Sequence, residues 1–400
     1  MLIAERVPDG TRTRQERIAT MGKQTATTAL AAIGLLASSP AIAADAERAV
    51  FGTLPDGRTV EAVTLTNGNG ISARVIAYGA TLQSLVMPDR EGRTADVLLG
   101  YPTLEGYVAN REFFGSTVGR FANRIAAGKF SLDGKSFQTT LNEGPNALHG
   151  GTVGFDKVLW EVVKVSEGKS ASVTLRYVSP DGDQGYPGKL TVTATYSLDE
   201  SNQLTIEYQG KTDRPTVVNI TNHAYWNLAG EGSEAGAMGH VLTIPADRFT
   251  PIDAGLIPTG ELKPVAGTPF DFRQPTSVGA RVRDMRDEQI AFGRGYDHNF
   301  VISERPVPKP QLMARVSDPV SGRSFELWSN QPGLQFYSGN FLDGKITGKS
   351  GRAYRQGDTV VFEPQLFPDA PNHPNFASAR LDPGQTYRNT MIYRLSTGQR

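Results

Sequence analysis

His223 and Glu363 are the side chains in this sequence whose settings best suit proton transfer. His223 lies within Asn219-Ile-Thr-Asn-His-Ala-Tyr-Trp-Asn-Leu-Ala-Gly230. Read as a strand, the stretch puts Val217, Asn219, Thr221, His223, Tyr225 and Asn227 on one face, while Val218, Ile220, Ala224, Trp226 and Leu228 dominate the other. One face then enters a core and the other offers a row of hydrogen-bonding groups around an imidazole. A carbohydrate needs such a surface: many hydroxyl partners, an aromatic wall, and one group that moves a proton near neutral pH. A half-buried strand whose histidine only binds a backbone group would give the same pattern.

Glu363 follows three consecutive apolar residues in Thr359-Val-Val-Phe-Glu-Pro-Gln365, and alternation puts it on the face of Val361 and Gln365. Desolvation in that setting raises a carboxyl pKa unless a partner charge compensates. A raised pKa suits a general base that works near neutrality. The competing reading is a structural ion pair with an arginine. Pro364 has no N–H to donate, so the strand should end there or run along an edge, leaving Glu363 near a sheet margin or cleft.

Histidine is scarce, with five in the chain. His149, His223, His298 and His373 sit in segments crowded with Asn, Gly, Asp and aromatic residues; His240 does not and is given no role. No two stand at helical ligand spacing and no His/carboxylate doublet shares a predicted face, so no metal site is expected. Phe113-Phe-Gly-Ser-Thr-Val-Gly-Arg-Phe-Ala-Asn-Arg-Ile125 places two arginines and an asparagine among small and apolar residues. An arginine in that company must be paired, either to structure a loop or to aim its planar donors at a ligand.

The elements that position these groups read as strands. Glu61–Thr66, Ile71–Ala77, Ser170–Val178 and Lys189–Tyr196 alternate in polarity, and Asp56-Gly57, Asn67-Gly68 and Asp133-Gly134 mark hairpin turns. Almost no segment sustains a helical period. The 43 glycines and 25 prolines are scattered, which suits many short strands joined by turns. An all-β fold is expected, a large antiparallel β-sandwich forming a single domain over 44–400. With 41 basic and 41 acidic residues the net charge is +0, which points away from a nucleic-acid or anionic-membrane surface. Zero cysteines leave neither disulfides nor thiolate metal ligands.

Residues 1–43 read differently. The apolar run Ala29–Ala37 is too short to span a bilayer and is followed by Ala41-Ile42-Ala43, a small-x-small cleavage pattern. Arg12, Arg14, Arg17 and Lys23 give the positive flank, and Met21 offers an alternative start that yields a signal of more usual length. A core helix or a tail is the alternative. The pattern predicts a signal peptide, a periplasmic or secreted location, and a mature chain beginning near Ala44.

Taken together, Gly119-Arg-Phe-Ala-Asn-Arg-Ile125, Leu148-His-Gly-Gly151, Asn219–Gly230, Pro258-Thr-Gly-Glu261, Asp297-His-Asn-Phe300, Gln331–Tyr337 and Glu363-Pro-Gln365 with Pro368-Asp369 resemble the aldose 1-epimerase (galactose mutarotase) family, in the family's order. The resemblance implies a β-sandwich with a sugar site in a concave face and interconversion of the α and β anomers of free aldohexoses such as glucose or galactose. It implies Glu363 as the base at the anomeric hydroxyl and His223 as the acid at the ring oxygen. His149 matches a second histidine near that oxygen, and Asn123, Arg124, Asp297 and Gln335 match residues that hold the sugar's hydroxyls. No cofactor is implied, and the partner is a small sugar. Pro364 departs from the family's usual Thr, and export is unusual for it. A hexose 6-phosphate epimerase would want an extra basic cluster, a sugar-binding module would lack the acid or base, and a glycoside hydrolase would need a second carboxylate, for which Asp297 is the candidate.

Overall fold

Strict alternation produces the longest ladders. Leu190–Asp199 and Gln203–Thr212 bury every second residue over most of their length and pair antiparallel from Leu190↔Thr212 to Leu198↔Leu204. In the computed structural model residues 44–398 are described, and they fall in one compact unit; the expected signal segment lies outside them. These two strands are central in a nine-stranded sheet that starts at Glu161–Ser166 and ends at Thr276–Ser277. A five-stranded meander runs in chain order from Asp45–Thr53 to Thr94–Asp96. Asp133-Gly134 makes its hairpin turn with φ of 52° and 74°, left-handed values that Asp and Gly tolerate.

The six-stranded sheet matters most for function. Its order is Tyr225–Trp226, Val360–Gln365, Gly333–Tyr337, Asp297–Val301, Arg248–Thr250 and Lys263–Pro264. Register sorts its residues by face. Phe336 pairs with Phe362, their rings stack at 5.3 Å, and Phe362 meets Phe325 of the nine-stranded sheet at 5.8 Å. Trp226 joins the same contact, 4.6 Å from Phe325 and 4.8 Å from Tyr393. That apolar layer between two antiparallel sheets is the sandwich core. The opposite face carries Asn299, Gln335 and Glu363 side by side, through the pairs Asn299↔Gln335 and Gln335↔Glu363.

The stretch around His223 is not the single half-buried strand expected. It is broken into Thr216–Val217, Thr221–Asn222 and Tyr225–Trp226, each paired with a different partner, and every residue from Thr216 to Leu228 is buried. The Asn219 side chain explains one interruption: it donates to Ala122 O and Leu366 O and accepts from the Leu366 N–H. Those bonds tie three segments together where a regular ladder would tie two. Pro364 is tolerated for the reason foreseen. Residues 361–365 of the strand Val360–Gln365 pair with Gly333–Tyr337, but on its other side only Val360 and Val361 meet Trp226 and Tyr225.

Candidate active site

Segments far apart in sequence converge on a cavity of about 230 Å³ whose walls include Asn123, Arg124, His149, His223, Asp297 and Glu363. That volume lies below the ~300–1,000 Å³ of drug-sized pockets and suits one monosaccharide ring. Gln335 stands behind this wall: its Nε2 donates to Asp297 Oδ1 at 2.7 Å. The expected site residues therefore form one constellation, with Gln335 acting on it through Asp297. His298 and His373 stay outside. The His298 ring packs on Phe270 at 4.4 Å on the core side, and His373 Nε2 lies 3.4 Å from Asp369.

Local chain geometry fixes the first wall. Asn123 and His149 both take left-handed backbone angles, φ 64° and 50°, an arrangement that needs surrounding support in non-glycine residues. The support is mutual: the His149 N–H donates to Asn123 O at 3.0 Å and the Asn123 N–H donates to His149 Nδ1 at 3.1 Å. Gly150 follows because a Cβ there would sit 1.9 Å from Gly119 O. A backbone N–H can only donate, so Nδ1 of His149 is the acceptor and Nε2 carries the proton. Asp369 secures the next turn, its N–H on Arg124 O and its Oδ1 accepting from the Ala126 N–H.

The two arginines of Gly119–Ile125 divide the two readings between them. Arg120, 2% exposed, donates to Pro187 O, Gly188 O, Pro180 O and Ser179 and is structural. Arg124 faces the cavity, bound bidentately by Glu143 at 2.6 and 2.7 Å and 3.7 Å from Asp297. Burial opposes its charge, but Asp297 and Glu143 outweigh that and raise its proton affinity. Glu143 and the cavity-lining Phe113 escaped the sequence reading. Glu143 reads as part of a Glu-Gly-Pro turn and Phe113 as an ordinary apolar residue, so neither had a signal to give.

His223 Nε2 lies 3.6 Å from Glu363 Oε1, with the residues 5% and 2% exposed. Burial lifts the Glu363 pKa well above the usual carboxylate value; the Asp297 charge adds to this and Arg124 opposes it. Burial pulls His223 down to about 3, and His149 well below its ordinary value, helped by His223 and Arg124. Desolvation thus favours the neutral form of both groups, the protonated carboxyl and the neutral imidazole. Glu363 Oε2 and His223 Nδ1, on two cavity-lining residues, and Gln335 Oε1 behind them are buried without protein hydrogen-bond partners.

Ligand atoms of His149, His223 and Glu363 lie within 4.8 Å of one another, a grouping of metal-ligand types although spacing along the chain gave no reason to expect a metal site. The set is drawn from three separate segments, which spacing along the chain cannot reveal. Metal ligation through Nε2 of His149 would require moving its proton to Nδ1, against the Asn123 N–H. The arrangement can support proton transfer: a carboxyl and an imidazole face one small cavity, with the Glu143-paired Arg124 and the Asn123 amide placed to orient hydroxyls.

A family model described as aldose 1-epimerase matches residues 61–394. The galactose mutarotase of Bos taurus is 45% identical over 350 residues, covering 87% of this chain and 98% of its own. The aldose 1-epimerase of Escherichia coli K12 is 36% identical over 342 residues, covering 85% and 96%. Among solved structures, the galactose 1-epimerase of Lactobacillus acidophilus superposes with a TM-score of 0.77 at 29% identity, covering 88% of this chain and 99% of that one.

Proposed function

The chain belongs to the aldose 1-epimerase family, an isomerase family that interconverts the α and β anomers of aldoses, and we propose that Glu363 and His223 carry the two proton transfers in it. Glu363 takes the proton of the anomeric hydroxyl, the C1–O5 bond breaks, and His223 delivers a proton to O5. C1 becomes an aldehyde, the C1–C2 bond rotates, and the ring closes on the other face as the same protons return. One proton shared by the pair is the stoichiometry this requires. Arg124, whose charge already counters the rise in Glu363, and the hydroxyls of a bound sugar favour the charge-separated form with carboxylate and imidazolium.

Nε2–H of His149 donates near the ring oxygen, and Asn123, Arg124 and Asp297, backed by Gln335, hold the remaining hydroxyls. The observation that carries this reading is the 3.6 Å approach of the acid and base inside one monosaccharide-sized cavity. A hexose 6-phosphate is disfavoured: the cavity's cations are Arg111 and Arg124, and Arg124 is already engaged by Glu143 and Asp297. Hydrolysis is disfavoured because Asp297 is committed to Gln335 and Arg124. Galactose and glucose are the proposed substrates. Polarimetry on freshly dissolved α-galactose or α-glucose tests the reaction: the enzyme should hasten the drift in rotation, and an unchanged drift refutes it.

Export is part of the same proposal. Residues 1–43 combine a basic flank, a short apolar run and Ala41-Ile42-Ala43, so the enzyme acts in the periplasm or outside the cell. N-terminal sequencing of exported protein should begin near Ala44; a chain retained inside with Met1 or Met21 at its start overturns the assignment.

A further inference from the structure

The turn ahead of Thr117–Val118 is built around His223. The Gly115 N–H donates to His223 O at 3.0 Å and the His223 N–H donates to Ser116 O at 2.9 Å. The Asn222 side chain adds a bond to Gly115 O at 2.7 Å. Gly115 itself has φ 67° and lies where a Cβ would be 2.0 Å from Leu82 O, so the path of the turn is fixed there.

Phe113 sits in this turn, with the Ser116 N–H on its carbonyl at 3.0 Å. Its φ is 58°, left-handed backbone that is unfavourable for a bulky side chain. That conformation carries the ring over both histidines. Its centroid is 4.7 Å from His149 and 5.8 Å from His223, the latter at an interplanar angle of 35°. Tyr225 also lies against His223, at 5.0 Å and 30°.

We propose that Phe113 is a positioning residue for the acid–base pair: its ring, held over His149 and His223 by the left-handed turn, keeps water off the pair and so sets the pH range over which they work. The inference rests on the proton transfers proposed above. Glu363, His149 and Tyr225 are the titratable groups against His223. Asp297, Tyr337 and Arg124 act on or beside Glu363, with Arg124 paired to Glu143. Arg111 and Glu112 adjoin Phe113 on the cavity wall, Glu112 accepting from the Tyr101 hydroxyl at 2.6 Å. Phe113 adds no charge, so its removal acts through hydration. An aromatic face also attracts a cation, which acts in the opposite sense to dehydration, so the direction of the shift on removing Phe113 tells the two effects apart.

Water admitted to the pair moves His223 up toward its ordinary value and Glu363 down, and the singly protonated range narrows from both ends. Phe113→Gly tests this while keeping the backbone, because glycine accepts a positive φ freely. The acid limb of its kcat–pH profile should move up by about one pH unit or more, with plateau kcat about tenfold lower. Phe113→Leu, which restores apolar cover, should keep the wild-type limbs. NMR titration of the His223 ring reads the same shift without turnover. An unshifted limb and an unshifted His223 titration in Phe113→Gly, with wild-type activity intact, overturn this inference alone. A wild-type protein without mutarotase activity overturns the proposed reaction and this role together.

Discussion

Nε2 of His223 stands 3.6 Å from Oε1 of Glu363, although the two residues are 140 positions apart in the chain. No hydrogen bond joins them, and each keeps a buried polar atom unpartnered. They face the same cavity, so a sugar there meets a proton donor and a proton acceptor at once. Glu363→Gln and His223→Asn should each lower mutarotation by about a hundredfold or more, the scale of a positioned acid or base. Polarimetric initial rates decide it; near-normal turnover in either variant removes that residue from the mechanism.

The pH profile follows from the pair's proton count. A second proton enters only as His223 titrates, near 3, and the last leaves only as Glu363 titrates, well above the ordinary carboxylate range. Catalysed rates, corrected for the spontaneous reaction, should therefore stay level through the ordinary histidine range down to about pH 5. An acid limb near the ordinary histidine value would show that the pair is hydrated in solution and would refute the burial argument.

In the proposed mechanism Asp297 holds a sugar hydroxyl, and its charge raises Glu363. Asp297→Ala should raise KM about tenfold or more, the scale of a hydrogen bond to a charged group, and should move the alkaline limb to lower pH. A variant with wild-type KM would place Asp297 outside the site.

Two arginines four residues apart should fail in different ways. Arg120→Ala leaves several buried carbonyls without a donor and should cost about 3 kcal/mol or more of stability. Arg124→Ala should mainly raise KM. Denaturant unfolding alongside kinetics separates the two; equal losses of stability would undo the division of roles.

Glu363 burdens the fold it serves. Its pKa is raised on folding, so the folded state holds a proton that the unfolded chain releases above about 4.5. Stability is lost as pH rises from there toward the folded pKa. Glu363→Gln should therefore have a higher Tm than wild type at pH 8, with the gap closing below pH 4.5. His223 works in the opposite sense: its folded pKa of about 3 lies below the ordinary 6.5, so its contribution is lost as pH falls through that window. Scanning calorimetry across pH reads both, and a Tm gap independent of pH would contradict the assignment.

The sequence by itself determined the kinds of residue and the strand-rich architecture. Alternation in Ser170–Val178 and Lys189–Tyr196, and a turn such as Asp133-Gly134, are local signals, and they produced the strands and hairpin expected of them. The residues that converge on the cavity were legible too, because Asn123, Arg124, His149, His223, Asp297, Gln335 and Glu363 sit in segments that resemble a known family. Tertiary structure decided what those residues do to one another. Only pairing of Asp297–Val301, Gly333–Tyr337 and Val360–Gln365 sets Asn299, Gln335 and Glu363 in one row. Only the fold separates Arg120 from Arg124, brings Glu143 to the guanidinium, and carries Phe113 over two histidines. Burial also sets the direction of the Glu363 and His223 pKa shifts, since desolvation depends on every neighbour in space, and no local window of sequence contains them.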